Sequence, residues 1–237
     1  MRFLLLFLLS LEILWFVSPA SAQLTSGISR PEITEGARSV GYRAAYDPDQ
    51  NGLAQRIHME HALTGSIAVR GVIQARKTDS RATDFGYVQG ELRWQATPDA
   101  ARWASGVRLD VRLRDRDRPG QIALHWLNQI QLTDEMRARF SAIASMQTGS
   151  GRESGTFLQT RGELSRRLEG GVDIGAEVYN IYGRASDLLP VSQQSHLAGP
   201  FVSLPLTTSL TLRTSALVGL TSGSADATFR VFLTHGF

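Results

Sequence analysis

The residues with chemistry to offer are arginines and carboxylates spaced two apart in short runs. Arg108, Asp110 and Arg112 share one parity of a stretch whose other parity is Trp103, Ser105, Val107, Leu109, Val111 and Leu113. Glu91 and Arg93 are set in the same way among Val88, Gly90, Leu92 and Trp94, as are Arg161 with Glu163 and Arg137 with Arg139. The same polar parity elsewhere holds Arg43, Arg56, Arg70, Arg213 and Arg230, with Glu60, Asp173 and Glu177. A period of two puts such residues on one face of an extended strand. Two roles compete for them. Arginines in surplus can line a passage and favour anions, as rings of basic side chains do. Arginines paired with carboxylates across strands can instead fill a narrow interior and serve stability alone. The residues expected to line that interior, in either role, are Arg70, Glu91, Arg93, Arg108, Asp110, Arg112, Arg139, Arg161, Glu163, Glu177, Arg213 and Arg230.

Other chemistry is thinly supplied. Acyl transfer needs a nucleophile with a base in hydrogen-bond reach, and the five histidines are His58, His61, His125, His196 and His235. Ser195 and His196 are adjacent, so on a strand they point to opposite faces. His58 and Glu60 share a face, but two groups at that spacing are a weak metal or base pair. No catalytic residue, metal site or cofactor is expected, and phosphate loops and zinc spacings are absent.

The elements that carry these residues are strands. On the polar parity the charges recur at strand centres, and at mid-bilayer an Arg or Lys on a lipid face costs about 2–4 kcal/mol. The charged face must therefore point inward and the apolar face outward. Twelve strands can be read, starting near Ser39–Tyr46 and ending at Phe229–Phe237, each bounded by turn-rich sequence. The second, fourth, sixth, eighth and tenth connections, such as Leu63-Thr64-Gly65 and Thr133-Asp134-Glu135, are short. The others are longer and rich in Gly, Ser, Asp and Arg. Trp94, Trp103, Trp126, Tyr42, Tyr46, Phe140, Phe229 and Phe237 fall on the apolar parity, as an interfacial aromatic girdle would.

The two ends complete the pattern. Met1–Ala22 has a basic Arg2, an apolar run and Ala20-x-Ala22, the parts of a secretory signal peptide cleaved before Gln23. Residues 23–36 read as a polar, periplasmic leader, and residues 37–237 as one barrel domain. The last strand alternates Phe229, Val231, Leu233, His235 and Phe237 against Arg230, Phe232, Thr234 and Gly236. A terminal Phe on such a strand resembles the C-terminal targeting strand of Gram-negative outer-membrane β-barrels. The resemblance implies a single all-β, antiparallel, up-and-down transmembrane barrel in the outer membrane, with both termini periplasmic. Phe229, Val231, Leu233 and Phe237 would be its signal to the barrel-assembly machinery. An even strand number with short periplasmic turns agrees.

The chain of 237 residues has no cysteine, so no disulfide or thiolate metal site can hold it together. Its formal charge of +3 is spread singly along strands rather than gathered in a patch, which argues against nucleic acid. The expected partners are outer-membrane lipid, the assembly machinery and a small anionic solute. The function expected is a passive pore or small-solute transporter with a net basic lumen. The alternatives are a non-conducting barrel that anchors an envelope partner and, with less support, a lipid-modifying enzyme, since no histidine sits in an arrangement resembling those barrels.

Overall fold

The computed structural model describes residues 25–77, 83–98, 101–115 and 118–237. The signal peptide assigned to Met1–Ala22 lies outside these residues. The strands are β1 (Arg38–Asp47), β2 (Gly52–Ala62), β3 (Ile67–Lys77), β4 (Asp84–Gln95), β5 (Trp103–Leu113), β6 (Gly120–Gln131) and β7 (Met136–Thr148). They continue with β8 (Phe157–Arg167), β9 (Asp173–Arg184), β10 (Asp187–Leu188), β11 (Ser195–Pro205), β12 (Leu210–Gly219) and β13 (Ala227–Gly236). The two-residue β10 pairs only with the end of β9. The other twelve strands pair antiparallel around a ring, and β13 closes it on β1 from Ser39↔Gly236 to Tyr46↔Phe229. Closure removes every edge, which a lipid-facing sheet requires because no water is present to satisfy free backbone groups.

The connections after β2, β4, β6, β8 and β11 gather at one rim, where the chain also enters β1 and leaves β13. There the Phe237 amide donates to the Arg38 carbonyl at 3.1 Å. The longer connections form the opposite rim. That division follows from the alternation of strand direction.

The wall is inverted relative to a soluble protein. Ile57, Ile73, Leu92, Leu124, Trp126 and Val218 are exposed outward, whereas Arg56, Glu91, Arg93, Arg108, Glu163, Glu177 and Arg230 are buried inward. All eight girdle aromatics are exposed on the outer face. Two of the tryptophans satisfy their indole N–H within the wall. Trp103 Nε1 donates to Asn128 Oδ1 and Trp126 Nε1 to Ser105 Oγ, each at 3.1 Å.

Two irregularities break the strict parity. The β3–β4 register shifts between Gln74 and Ala75, so that Tyr87 pairs with Gln74 and Phe85 with Ala75. This bulge leaves Phe85 outside and Tyr87 buried inside. The second lies between Leu158 and Gln159, opposite Gly183 (φ 95°), a conformation glycine adopts without strain. β9 runs on past this glycine to Arg184.

Candidate functional site: the lumen

Two ion-pair clusters form opposite walls of the interior. On β2–β6, Arg93 and Arg70 share Glu60, with Arg93 Nη2 at 2.8 Å. Arg70 reaches on to Glu91 at 3.1 Å. Arg108 holds Asp110 side-on, Nε–Oδ1 2.7 Å and Nη2–Oδ2 2.8 Å, and lies 3.6 Å from Glu91. Asp110 also takes His125 Nε2 at 3.0 Å. On the other wall, Glu163 accepts from Arg139 at 3.3 Å and Arg213 at 2.8 Å, while Glu177 accepts from Arg213 at 2.6 Å, Arg230 and the Tyr179 hydroxyl at 3.1 Å. Burial of so many charges is tolerable because nearly every carboxylate meets two or more donors.

Of the twelve residues proposed for the lining, ten belong to these clusters. The remaining two, Arg112 and Arg161, have no carboxylate within 4 Å among the described residues. Neither do Arg43, Arg56 or Arg114. These five line one cavity of about 420 Å³ on the long-loop side of the clusters, bounded outward by Pro119, Gly120, Gly151 and Glu153. Arg43 and Arg56 are direct partners across the β1–β2 ladder. Arg112 Nε donates to Gln89 Oε1 at 2.8 Å. Burial, and then the neighbouring Arg112, Arg76 and Arg118, lower Arg114 on its loop to about 10. In the structure Arg108 and Arg93 are neutralised by Glu91, Asp110 and Glu60, and Arg137 lies beside Asp173 at 3.6 Å.

Aromatic rings on the polar parity support the guanidinium groups. Arg112 lies over Tyr87 at 4.1 Å, Arg213 over Phe201 at 3.6 Å, Arg230 over Tyr179 at 4.7 Å and Arg43 over Phe232 at 4.7 Å. Each pairing fixes a side chain that would otherwise be flexible and lends a partly desolvated cation a favourable quadrupole. His58 and Glu60, a conceivable pair from their spacing, are not together: Glu60 is taken by Arg70 and Arg93. His196 Nδ1 lies 2.8 Å from Asn180 Oδ1 and its Nε2 3.0 Å from Gln194 Oε1.

The residue pattern gave no sign of what lies between the two walls. Thr25–Ile33, from the polar leader, runs inside the barrel. Gln74 Nε2 donates to Thr25 Oγ1 (3.3 Å), Arg230 to the Ser26 carbonyl (3.0 Å) and Arg161 to the Gly27 carbonyl (3.2 Å). Arg108 donates to Ser29 Oγ, Gln129 to Glu32 at 2.5 Å, and Gln95 Oε1 accepts from the Ile33 amide at 2.6 Å. Ile33 packs on Ala62 and Ala68, and Ile28 against Tyr179, Leu197 and Leu217. Ser26, Gly27 and Ser29 form the floor of the arginine cavity.

Ordering this nine-residue stretch costs about 1–2 kcal/mol per residue. The six hydrogen bonds return about 0.5–3 kcal/mol each, and the buried Ile33 about 1.5–3 kcal/mol, with less from the partly buried Ile28. The two sums are similar, so the segment is held without a large margin.

No family model and no curated protein matches the chain. Among solved structures it is similar to the KdgM porin, with TM-score 0.60 and 10% identity over 84% of this chain and 99% of that one. The KdgM porin in complex with disordered oligogalacturonate gives TM-score 0.63, also at 10% identity, over 84% and 99%. The NanC porin gives 0.62 at 7% identity over 83% and 98%. An outer-membrane channel from Pseudomonas putida F1 gives 0.68 at 10% identity over 90% of this chain and all of that one. At such identities the likeness is one of fold: the chain has the architecture of the small outer-membrane barrels of the porin class.

Proposed function

We propose that the protein is a passive outer-membrane pore for small anionic solutes. One observation carries the reading: Arg43, Arg56, Arg112, Arg114 and Arg161, none of which has a carboxylate within 4 Å among the described residues, converge on one cavity whose lining carries only two carboxylates among those residues, Asp110 and Glu153. Fixed positive charge in a low-dielectric channel raises the local concentration of anions. The similar porin solved with oligogalacturonate, a polyanion, supports the same class of solute. In this reading the lumen is net basic, the signal peptide is removed, and the short-turn rim and both termini face the periplasm. Phe229, Val231, Leu233 and Phe237 then present the assembly signal, and deleting Phe237 should leave the chain in the periplasm. Normal membrane insertion of that variant would remove this part of the reading.

The test of the pore is conductance of the purified barrel in a planar bilayer across a KCl gradient. A reversal potential on the chloride side is expected, and Arg43→Gln with Arg56→Gln should move it toward zero. The ion-pair clusters and the luminal segment favour a second reading, a non-conducting barrel that anchors an envelope partner. Electrical silence together with co-purification of a partner would select it.

A further inference from the structure

We infer that Thr25–Ile33 is a removable plug, released when an oxyanion takes Arg161 and Arg108 from it. The plug itself stands on the geometry of the segment; the trigger rests on the anion-pore reading above.

The segment's hold on the wall is of an exchangeable kind. Its contacts with Arg230, Arg161 and Arg108 use two backbone carbonyls and one hydroxyl, all neutral acceptors. Among the described residues neither Arg30 nor Glu32 forms an ion pair with the wall, and Glu32 meets the Gln129 amide instead. A charged oxygen bound to arginine makes a shorter, stronger hydrogen bond than a neutral one. An oxyanion in the cavity therefore outcompetes the Gly27 carbonyl and Ser29 hydroxyl for the same donors.

The cavity also delivers the anion to the right place. Ser26, Gly27 and Ser29 line it together with Arg43, Arg108 and Arg161. A Cβ added at Gly27 would lie 2.8 Å from Arg43 Nη1, so the guanidinium rests directly against the backbone there. At the other end Gly36, with φ +73°, turns the chain from the lumen into β1, and its amide donates to the Ala62 carbonyl at 3.2 Å. That glycine is a pivot about which the segment can leave toward the short-turn rim while β1 stays paired.

The test exploits the absence of cysteine from the chain. In the full-length barrel, Ser26→Cys should react with a membrane-impermeant maleimide about tenfold more slowly than Ser150→Cys, an exposed loop control, because labelling waits on local opening. Inorganic pyrophosphate should accelerate labelling at position 26 and leave position 150 unchanged, relative to NaCl of equal ionic strength. A variant lacking residues 25–33 should show severalfold higher unitary conductance. Equal labelling of the two cysteines without anion overturns the plug, as does unchanged conductance of a folded deletion variant. If the deletion fails to fold, the labelling comparison decides. Pyrophosphate without effect on Ser26→Cys overturns the trigger. A deletion variant that conducts without anion preference overturns the anion-pore reading and leaves the plug standing.

Discussion

Arg43 and Arg56 face one another across the β1–β2 ladder, and no carboxylate lies within 4 Å of either among the described residues. Like charges directly opposite on a sheet are destabilising by about 0.2–1 kcal/mol. Arg56→Gln should therefore leave the barrel as stable as the parent, or slightly more so, in low-phosphate buffer. Added phosphate should stabilise the parent and not the variant. Unfolding followed by heat-dependent gel migration, with and without phosphate, checks both halves; equal stabilisation of the two proteins would count against an anion at this pair.

Arg108 and Arg112 lie two residues apart on β5 and separate the two roles that a luminal arginine can take. Arg108 is clamped by Asp110 and lies near Glu91, so Arg108→Gln should cost about 3–5 kcal/mol of stability, the range for breaking a buried pair from one side. Among the described residues the Arg112 guanidinium meets Gln89 and the Tyr87 ring and no carboxylate. Arg112→Gln should cost little stability and lower chloride selectivity. Denaturant midpoints paired with reversal potentials distinguish them, and a reversed order would refute the division.

Glu177 is the most heavily used carboxylate on its wall, with Arg213, Arg230 and Tyr179 all donating to it. Glu177→Gln strands Arg230, whose side chain is buried, and should lower stability by about 3–5 kcal/mol. The exposed pair Arg167–Asp173, at 3.1 Å, offers the contrast: Arg167→Ala should change stability by less than about 1 kcal/mol. The measurement is the shift in unfolding midpoint of each single variant.

Glycines on the wall are not equivalent. A Cβ at Gly199 would lie 1.8 Å from the Ala216 carbonyl oxygen, a backbone atom that cannot retreat without breaking the β11–β12 ladder. Gly90 has open space on the lipid side. Gly199→Ala should sharply reduce the yield of folded barrel, and Gly90→Ala should fold at parental yield; comparable yields for both would show that the wall adapts more than its geometry implies.

Much of the wall was legible from the alternation of apolar and charged residues. That periodicity is local, and it sorts Arg108 from Leu109 without reference to any other strand. Which charges pair depends on register and on contacts across the lumen, which no local pattern encodes. Arg213 of β12 bonds Glu163 of β8, three strands away around the ring and beyond its own ladder neighbours β11 and β13. Tyr87 and Phe232 fell on the polar parity, yet their role as platforms for Arg112 and Arg43 needed the third dimension. The bulge at Gly86 was hidden because a parity break looks like a strand end. The luminal segment was the least legible part: Ile28, Pro31 and Ile33 follow no strand period, and their partners come from strands throughout the chain.

The hydrogen bond from Arg230 to the Ser26 carbonyl joins positions 204 residues apart, close to the full length of the barrel domain. Contacts of such separation form late, since the intervening chain must first be organised. Here the dependence is stricter, because Arg230 belongs to the strand whose pairing with β1 seals the ring. The start of the chain can be gripped by that arginine only as the seam closes. An assembly intermediate that has every strand but the last would hold an open sheet around a loose beginning, and arrival of the final strand would shut the wall and seat the segment in one event.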